Sequence, residues 1–280
     1  MSTTTATSHN EQKITAASVR ARKGAPAAAG GKLAALTAYD VVFARLADAS
    51  GVDIVLVGDS LGMMVQGHAN TLPVTLDEVV YHTKAVVRGV RHAHVVADLP
   101  FMSYQASVED GMRAAGRLLQ EGGAEAVKIE GGAEVVPLVA RLSSFGIPVM
   151  GHVGMTPQWV HQYGGFRVQG RAQEAHDRIL EGARALADAG AYAMVVESVP
   201  ESLGAEITSA LSIPTIGIGA GAACDGQILV MHDVLGLDPD WKPRFARRYA
   251  QLGQAARAAF SAYVADVREG SFPAAEETFK

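Results

Sequence analysis

The sequence predicts an α/β fold, a closed (β/α)8 TIM barrel of parallel strands with helices outside them. Three observations carry this expectation. From Leu33 onward, short runs rich in Val, Ile, Leu and Ala recur, each followed by a polar or glycine-rich turn and then by helical spacing. The runs are apolar on both faces, as the strands of a helix-covered parallel sheet must be. Seven such units and a weaker eighth fill a chain of 280 residues, and a single barrel takes about 250.

The runs are Leu33–Ala38, Asp53–Val57, His94–Ala97, Ala126–Ile129, Ile147–Met150, Ala193–Val196 and Ile213–Ile218, with Ile228–Met231 as the weaker eighth. The first leads into Thr37-Ala38-Tyr39-Asp40. An open nucleotide-binding sheet would show a G-x-G-x-x-G turn there, so the closed barrel is favoured. Thr75 with Glu78 forms a capping-box pair that opens a helix over Leu76–Arg91. Gly122-Gly123, Gly146 and Gly190 fall where helices must stop before the next strand. Arg244–Arg268 reads as the closing outer helix, and no proline-rich linker announces a second domain. The expected organisation is a disordered tail over residues 1–30 and a single barrel domain over 31–280. The tail is rich in Ala, Thr and Ser and lacks the apolar centre of a secretory signal. Its four basic residues and one acid also admit an organellar presequence.

Composition narrows the function. The net charge of −5 is mild and its acids and bases are interspersed, with no basic stripe of the kind nucleic acid requires. No apolar run approaches the roughly 20 residues that span a bilayer. The single cysteine, Cys224, excludes an intrachain disulfide and fits a reducing, cytoplasmic setting. No histidine lies within a few residues of it, and it reads as a plain loop cysteine.

In a parallel barrel the reactive groups stand at the C-terminal strand ends, where the loops converge on one mouth. Five runs lead into ionisable side chains: Asp59 after VDIVLVG, Asp98 after HVVA, Glu130 after AVKI, His152 after IPVMG and Glu197 after MVV. A lone Asp in such a place is commonly a helix N-cap, but Glu is a poor one. Carboxylates gathered at one mouth repel one another unless a cation lies between them. Asp59, Asp98 and Glu130 therefore form a candidate site for a hard ion such as Mg²⁺, other divalent ions remaining open. His152 reads as a supporting or substrate-contacting group; as a direct ligand it would favour Zn²⁺ or Co²⁺.

Lys128 lies two residues before Glu130 and so shares its face of the strand. It can neutralise a substrate carboxylate, form a Schiff base as in metal-independent aldolases, or pair with Glu130 alone. Ser60 offers a hydroxyl and a backbone N–H to an anionic oxygen. Gly217–Gly221 follows a late strand and reads either as a phosphate cradle or as a tight turn. The long segment 154–171 reads equally as a lid and as an oligomer contact.

The blocks VGDSLGMMVQGH (57–68), TLPVT (71–75), ADLPFMSY (97–104), VKIEGG (127–132), GHVGMTPQ (151–158), GGFRVQGR (164–171), ESVP (197–200) and IPTIGIGAG…DGQILVMHD (213–233) closely resemble the ketopantoate hydroxymethyltransferase family, in order, from about Leu33 to the C-terminus. The resemblance implies a barrel of the phosphoenolpyruvate/pyruvate type, usually a homodecamer. It implies Mg²⁺ on Asp59, Asp98 and Glu130, the 2-oxo acid contacted by Asp59, Ser60, Asp98 and Lys128, and Glu197 as the catalytic base. The implied reaction passes a hydroxymethyl group from 5,10-methylenetetrahydrofolate to 3-methyl-2-oxobutanoate through a metal-stabilised enolate, giving 2-dehydropantoate for pantothenate biosynthesis. The implied partners are thus a small 2-oxo acid and a folate, with no nucleic acid and no membrane. Two departures stand out: the tail before residue 31 is long for the family, and Glu277 stands where the family pattern has a histidine.

Overall fold

The computed structural model describes residues 12–26 and 31–279. Eight strands, β1 (Leu33–Thr37), β2 (Ile54–Val57), β3 (His94–Asp98), β4 (Ala126–Glu130), β5 (Val149–Gly154), β6 (Ala193–Glu197), β7 (Thr215–Ile218) and β8 (Gly226–Leu229), close into a barrel in sequence order. Neighbours from β1 through β8 pair in parallel. Up to β8 the helices are α1 (Ala16–Arg20), α2 (Val41–Ala49), α3 (Leu61–Met64), α4 (Leu76–Val87), α5 (Val108–Gln120), α6 (Val136–Ser144), α7 (Val160–Tyr163), α8 (Gln173–Asp188) and α9 (Glu201–Ala210). The expected barrel is the observed one. No described helix is long and apolar enough to cross a membrane.

Strand register determines what the barrel interior contains. Asp98 stands opposite Lys128, Lys128 opposite Met150, Glu130 opposite His152, and Gly154 opposite Glu197. Because opposed residues share a face, Asp98, Lys128, Glu130, His152 and Glu197 all belong to the inward set. The alternate set meets the outer helices: a Cβ on Gly151 would stand 2.8 Å from Met194 Sδ and 3.3 Å from Leu186 of α8.

Several boundaries differ from expectation. β3, β4 and β6 each run one residue further, taking in Asp98, Glu130 and Glu197. β5 starts later and reaches Gly154, so His152 sits within the strand rather than after it. Two glycines and a histidine look like a turn in sequence, but pairing to both neighbours holds them extended. The predicted capping box of α4 is present: Glu78 N–H donates to Thr75 Oγ1 at 3.3 Å and Thr75 N–H to Glu78 Oε2 at 2.7 Å. The helix ends at Val87, four residues before Arg91. Gly190, with φ +106°, follows α8 in a conformation that disfavours a side chain.

Of the thirty N-terminal residues expected as a disordered tail, 1–11 and 27–30 lie outside the described residues. Residues 12–26 differ from that expectation, because they are bonded across the N-terminal ends of the strands. Ile14 N–H donates to His92 O at 2.7 Å, Lys13 pairs with Glu125 at 3.0 Å, and Lys23 pairs with Asp225 at 2.9 Å. Val19 of α1 is fully buried. Ala-rich composition hid this segment, whose anchoring depends on partners far away in sequence.

The described chain divides into two compact units, one ending at Ile228 and one beginning at Leu229. The second holds α10 (Met231–Leu235) and α11 (Leu252–Glu269). The closing helix expected from Arg244 thus starts at Leu252, and none of its residues is buried. Residues before it take an irregular path, with Arg248 donating to the carbonyls of Asp238 and Trp241, each at 2.7 Å.

Candidate active site

The sequence-predicted residues converge at the C-terminal end of the barrel. Asp59, Asp98, Lys128, Glu130 and His152 are all buried, at 5% exposure or less. Glu197 is more open, its side chain 18% exposed. Asp98, Lys128, Glu130, His152 and Glu197 rise from the strands themselves, whereas Asp59 and Ser60 sit on the turn that follows β2. Two glycines permit the close approaches. A Cβ on Gly58 would lie 2.7 Å from Ser60 Oγ, and one on Gly154 (φ +97°) would collide with the Glu197 carbonyl.

The charged groups are bonded in a definite pattern. Asp59 N–H donates to Asp98 Oδ2 at 3.0 Å. Lys128 Nζ lies 3.1 Å from Asp98 Oδ1 and 3.1 Å from His152 Nδ1. His152 Nδ1 is 3.5 Å from Glu130 Oε1, and its Nε2 is 3.2 Å from Glu197 Oε2. The Ser60 hydroxyl meets Tyr39 Oη at 2.8 Å. Gln158, Tyr104 and Tyr39 were not singled out from the sequence. Gln158 donates through Nε2 to Asp59 Oδ2 and through its backbone N–H to Glu130 Oε2, both at 2.9 Å. The one sequence signal for Gln158 and Tyr104 was membership in the blocks GHVGMTPQ and ADLPFMSY.

Burial and like charge set the electrostatics. Asp59 is held well above the usual carboxylate range by burial and by the charges of Asp98 and Glu130. Asp98 is raised by burial, with Lys128 and the Asp59 N–H pulling the other way. Glu130 is buried too, yet falls below its usual value because His152, Lys128 and the Gln158 N–H stabilise its charge. For Lys128, burial opposes the ammonium form, but Asp98, Glu130 and Asp59 outweigh it and drive the pKa up. His152 is raised as well: burial and Lys128 oppose its protonation, and Glu130 and Glu197 prevail.

Among the described residues no group of three or more His, Cys, Asp and Glu side chains forms a ready metal-ligand cluster. The donor set nonetheless fits a hard cation. Asp98 Oδ1 and Glu130 Oε1 are buried oxygens with no hydrogen-bond partner, although Asp98 Oδ1 has the Lys128 charge beside it. Mg²⁺ in particular asks for few protein carboxylates and completes its shell with water and substrate oxygens. A closed protein cage is not required.

The raised carboxylates imply a measurable pH effect. A carboxyl whose folded pKa exceeds its unfolded value binds more protons when folded, so stability falls as pH rises through that window. In EDTA, Asp59→Asn is therefore expected to become progressively more stable relative to the parent as pH rises from about 4, the unfolded Asp value. Urea unfolding at several pH values measures this. A difference that stays flat with pH would show that Asp59 is not strained by its neighbours.

The remaining candidates lie beside this set. Cys224 is fully buried, and a Cβ on Gly217 would sit 3.0 Å from its Sγ. In the Gly217–Gly221 stretch, Gly217 and Ile218 belong to β7 and the rest bends past α9, where a Cβ on Gly221 would be 2.5 Å from Glu201 Cγ. Segment 154–171 is anchored at its start by buried Thr156 and Gln158 and exposed further on at Phe166 and Val168.

The family model for ketopantoate hydroxymethyltransferase matches residues 13–275. A 3-methyl-2-oxobutanoate hydroxymethyltransferase of Pelobacter propionicus is 54% identical over 248 residues, covering 89% of this chain and 92% of its own. One from Carboxydothermus hydrogenoformans is 51% identical over 267 residues, covering 95% of each. Among solved structures, 2,3-dimethylmalate lyase, a PEP mutase/isocitrate lyase superfamily member, aligns with a TM-score of 0.59 at 19% identity over 94% of this chain and 91% of its own. Phosphonopyruvate hydrolase in complex with oxalate and Mg²⁺ aligns with a TM-score of 0.59 at 12% identity, over 94% and 92%. At such identities the structures show a shared barrel and nothing about chemistry.

Proposed function

The chain belongs to the ketopantoate hydroxymethyltransferase family, and from that premise we propose that it transfers a hydroxymethyl group from 5,10-methylenetetrahydrofolate to 3-methyl-2-oxobutanoate, giving 2-dehydropantoate in pantothenate biosynthesis. The observation that carries the reading is the inward, registered set Asp98, Lys128, Glu130, His152 and Glu197, with Asp59 bonded to it. We expect the enzyme to be a cytoplasmic homodecamer, as the family pattern implies.

Asp59, Asp98 and Glu130 would hold Mg²⁺. When bound, the ion supplies a Lewis acid for the 2-oxo and carboxylate oxygens of the substrate. The Lys128 ammonium has three N–H groups and lies 3.1 Å from Asp98 Oδ1 and 3.1 Å from His152 Nδ1. Its charge serves the substrate carboxylate. Ser60 orients the same end of the substrate. Glu197, the least buried of the charged set, removes the C3 proton. His152 stands between Glu130 and Glu197 and holds the base in place. C3 then forms a bond to the folate's methylene carbon as one of its two C–N bonds breaks. Water supplies the hydroxyl as the second C–N bond breaks, and the proton from C3 and one from water end on the two nitrogens of the departing tetrahydrofolate.

Thermal denaturation tests the reading. A 2-oxo acid is expected to stabilise the protein only when Mg²⁺ is present, and EDTA is expected to abolish both C3 proton exchange and turnover. Exchange that persists in EDTA, with substrate trapped on the protein by borohydride, would instead establish an imine on Lys128.

A further inference from the structure

Gln158 is a buried amide on the short 3₁₀ turn Pro157–Trp159, and both ends of its amide and its backbone N–H are engaged. Its Nε2 donates to Asp59 Oδ2 and to the Leu99 carbonyl, each at 2.9 Å. Its Oε1 accepts from Gln105 Nε2 at 2.9 Å and shares the single Tyr104 hydroxyl proton with the Glu130 carbonyl, both oxygens lying 2.9 Å from Tyr104 Oη. Its backbone N–H takes Glu130 Oε2 at 2.9 Å. The amide can face only one way. A carboxylate and a peptide carbonyl accept but do not donate, so the NH₂ must point at Asp59 and Leu99, leaving the oxygen to Tyr104 and Gln105.

The consequence lies in what is left over. One oxygen each of Asp59 and Glu130 is taken by Gln158, and Glu130 Oε1 is left as a buried oxygen with no hydrogen-bond partner, with His152 Nδ1 3.5 Å away. A single residue thus sets the rotation of two carboxylates, one from the turn after β2 and one from β4. We propose that Gln158 is the positioning residue of the metal centre: by engaging Asp59 Oδ2 and Glu130 Oε2 it reserves the second oxygen of each for the divalent ion, with Tyr104 and Gln105 locking its amide. This rests on the reading that Asp59, Asp98 and Glu130 bind a metal. It makes segment 154–171 part of the site at its first turn, whatever its exposed portion does.

Binding of Mn²⁺ alone, followed by electron paramagnetic resonance, tests the proposal without relying on activity. Gln158→Met keeps the size of the side chain and removes its hydrogen bonds. The variant is expected to raise the Mn²⁺ Kd by roughly 10–100-fold, the usual cost of losing a group that orients metal ligands. Tyr104→Phe, which keeps the ring and removes the hydroxyl shared between Oε1 and the Glu130 carbonyl, is expected to move Kd the same way by a few-fold. It also serves as the second variant if Gln158→Met fails to fold. A folded Gln158→Met that melts lower but binds Mn²⁺ within twofold of the parent would mark a merely structural role and overturn the proposal, as would an unchanged Kd in Tyr104→Phe. A parent protein that does not bind Mn²⁺, or an Asp59→Asn variant that binds as the parent does, would overturn the metal reading and this proposal with it.

Discussion

Replacing Glu197 by Gln is expected to leave 2-oxo acid binding intact while slowing exchange of the substrate's C3 proton with deuterium oxide by roughly 10²–10⁴-fold, the usual worth of a positioned base. The structural reason is division of labour. Asp59, Asp98 and Glu130 are at most 3% exposed, and one oxygen of each accepts a hydrogen bond from the protein. Glu197 closes β6 with its side chain 18% exposed, where a substrate atom can reach it. An amide there keeps the size of the side chain and loses the capacity to accept a proton, along with the charge that faces His152 Nε2. Deuterium incorporation followed by NMR separates the two effects, because binding and exchange are read on the same molecule. Undiminished exchange would move the base elsewhere, and His152, with Nε2 3.2 Å from Glu197, is the next group to replace.

Lys128→Met is expected to destabilise the metal-free protein by about 3–5 kcal/mol near neutral pH, the cost of stranding buried charges by removing their partner. Lys128 is 5% exposed, its ammonium lies 3.1 Å from Asp98, and the charges of Glu130 and Asp59 also act on it. The pH dependence follows from the directions of the shifts. The folded pKa of Lys128 is raised, so its contribution is fully present below the unfolded lysine value of about 10.4 and disappears only as pH rises through the folded value. At lower pH the loss in the variant should shrink, since Asp59 and Asp98, both raised, take up protons and no longer need the cation. Added Mg²⁺ should restore part of the loss by replacing the missing charge. Urea unfolding with and without EDTA measures each of these; equal stability of variant and parent in EDTA at neutral pH would mean the cluster is neutral without Lys128.

The barrel was legible because strands buried on both faces are written as apolar runs, and all eight appear within a few residues of their predicted places. Errors gathered where chemistry interrupts that pattern. Asp98, Glu130 and Glu197 look like the start of a turn, yet each continues its ladder and so gains the rigidity of a strand. Within β5, Gly151, His152 and Gly154 have the composition of a loop, and pairing with Glu130 on one side and Glu197 on the other makes them strand. Residues 12–26 carry no periodic pattern at all, since their order comes from single bonds to Glu125, His92 and Asp225.

By itself the sequence determined that carboxylates, a lysine and a histidine stand at the strand ends of a parallel barrel, and that Lys128 and Glu130 share a face, because the two-residue period of a strand is a local property. Only the tertiary structure decided how those groups are bonded. Asp98 lies 39 residues from the N–H it receives, and Gln158 lies 99 residues from Asp59. No local pattern encodes such distances. Closure of the barrel brings these groups together, and with them the couplings that raise Asp59, hold Lys128 charged and leave Glu130 Oε1 without a hydrogen-bond partner.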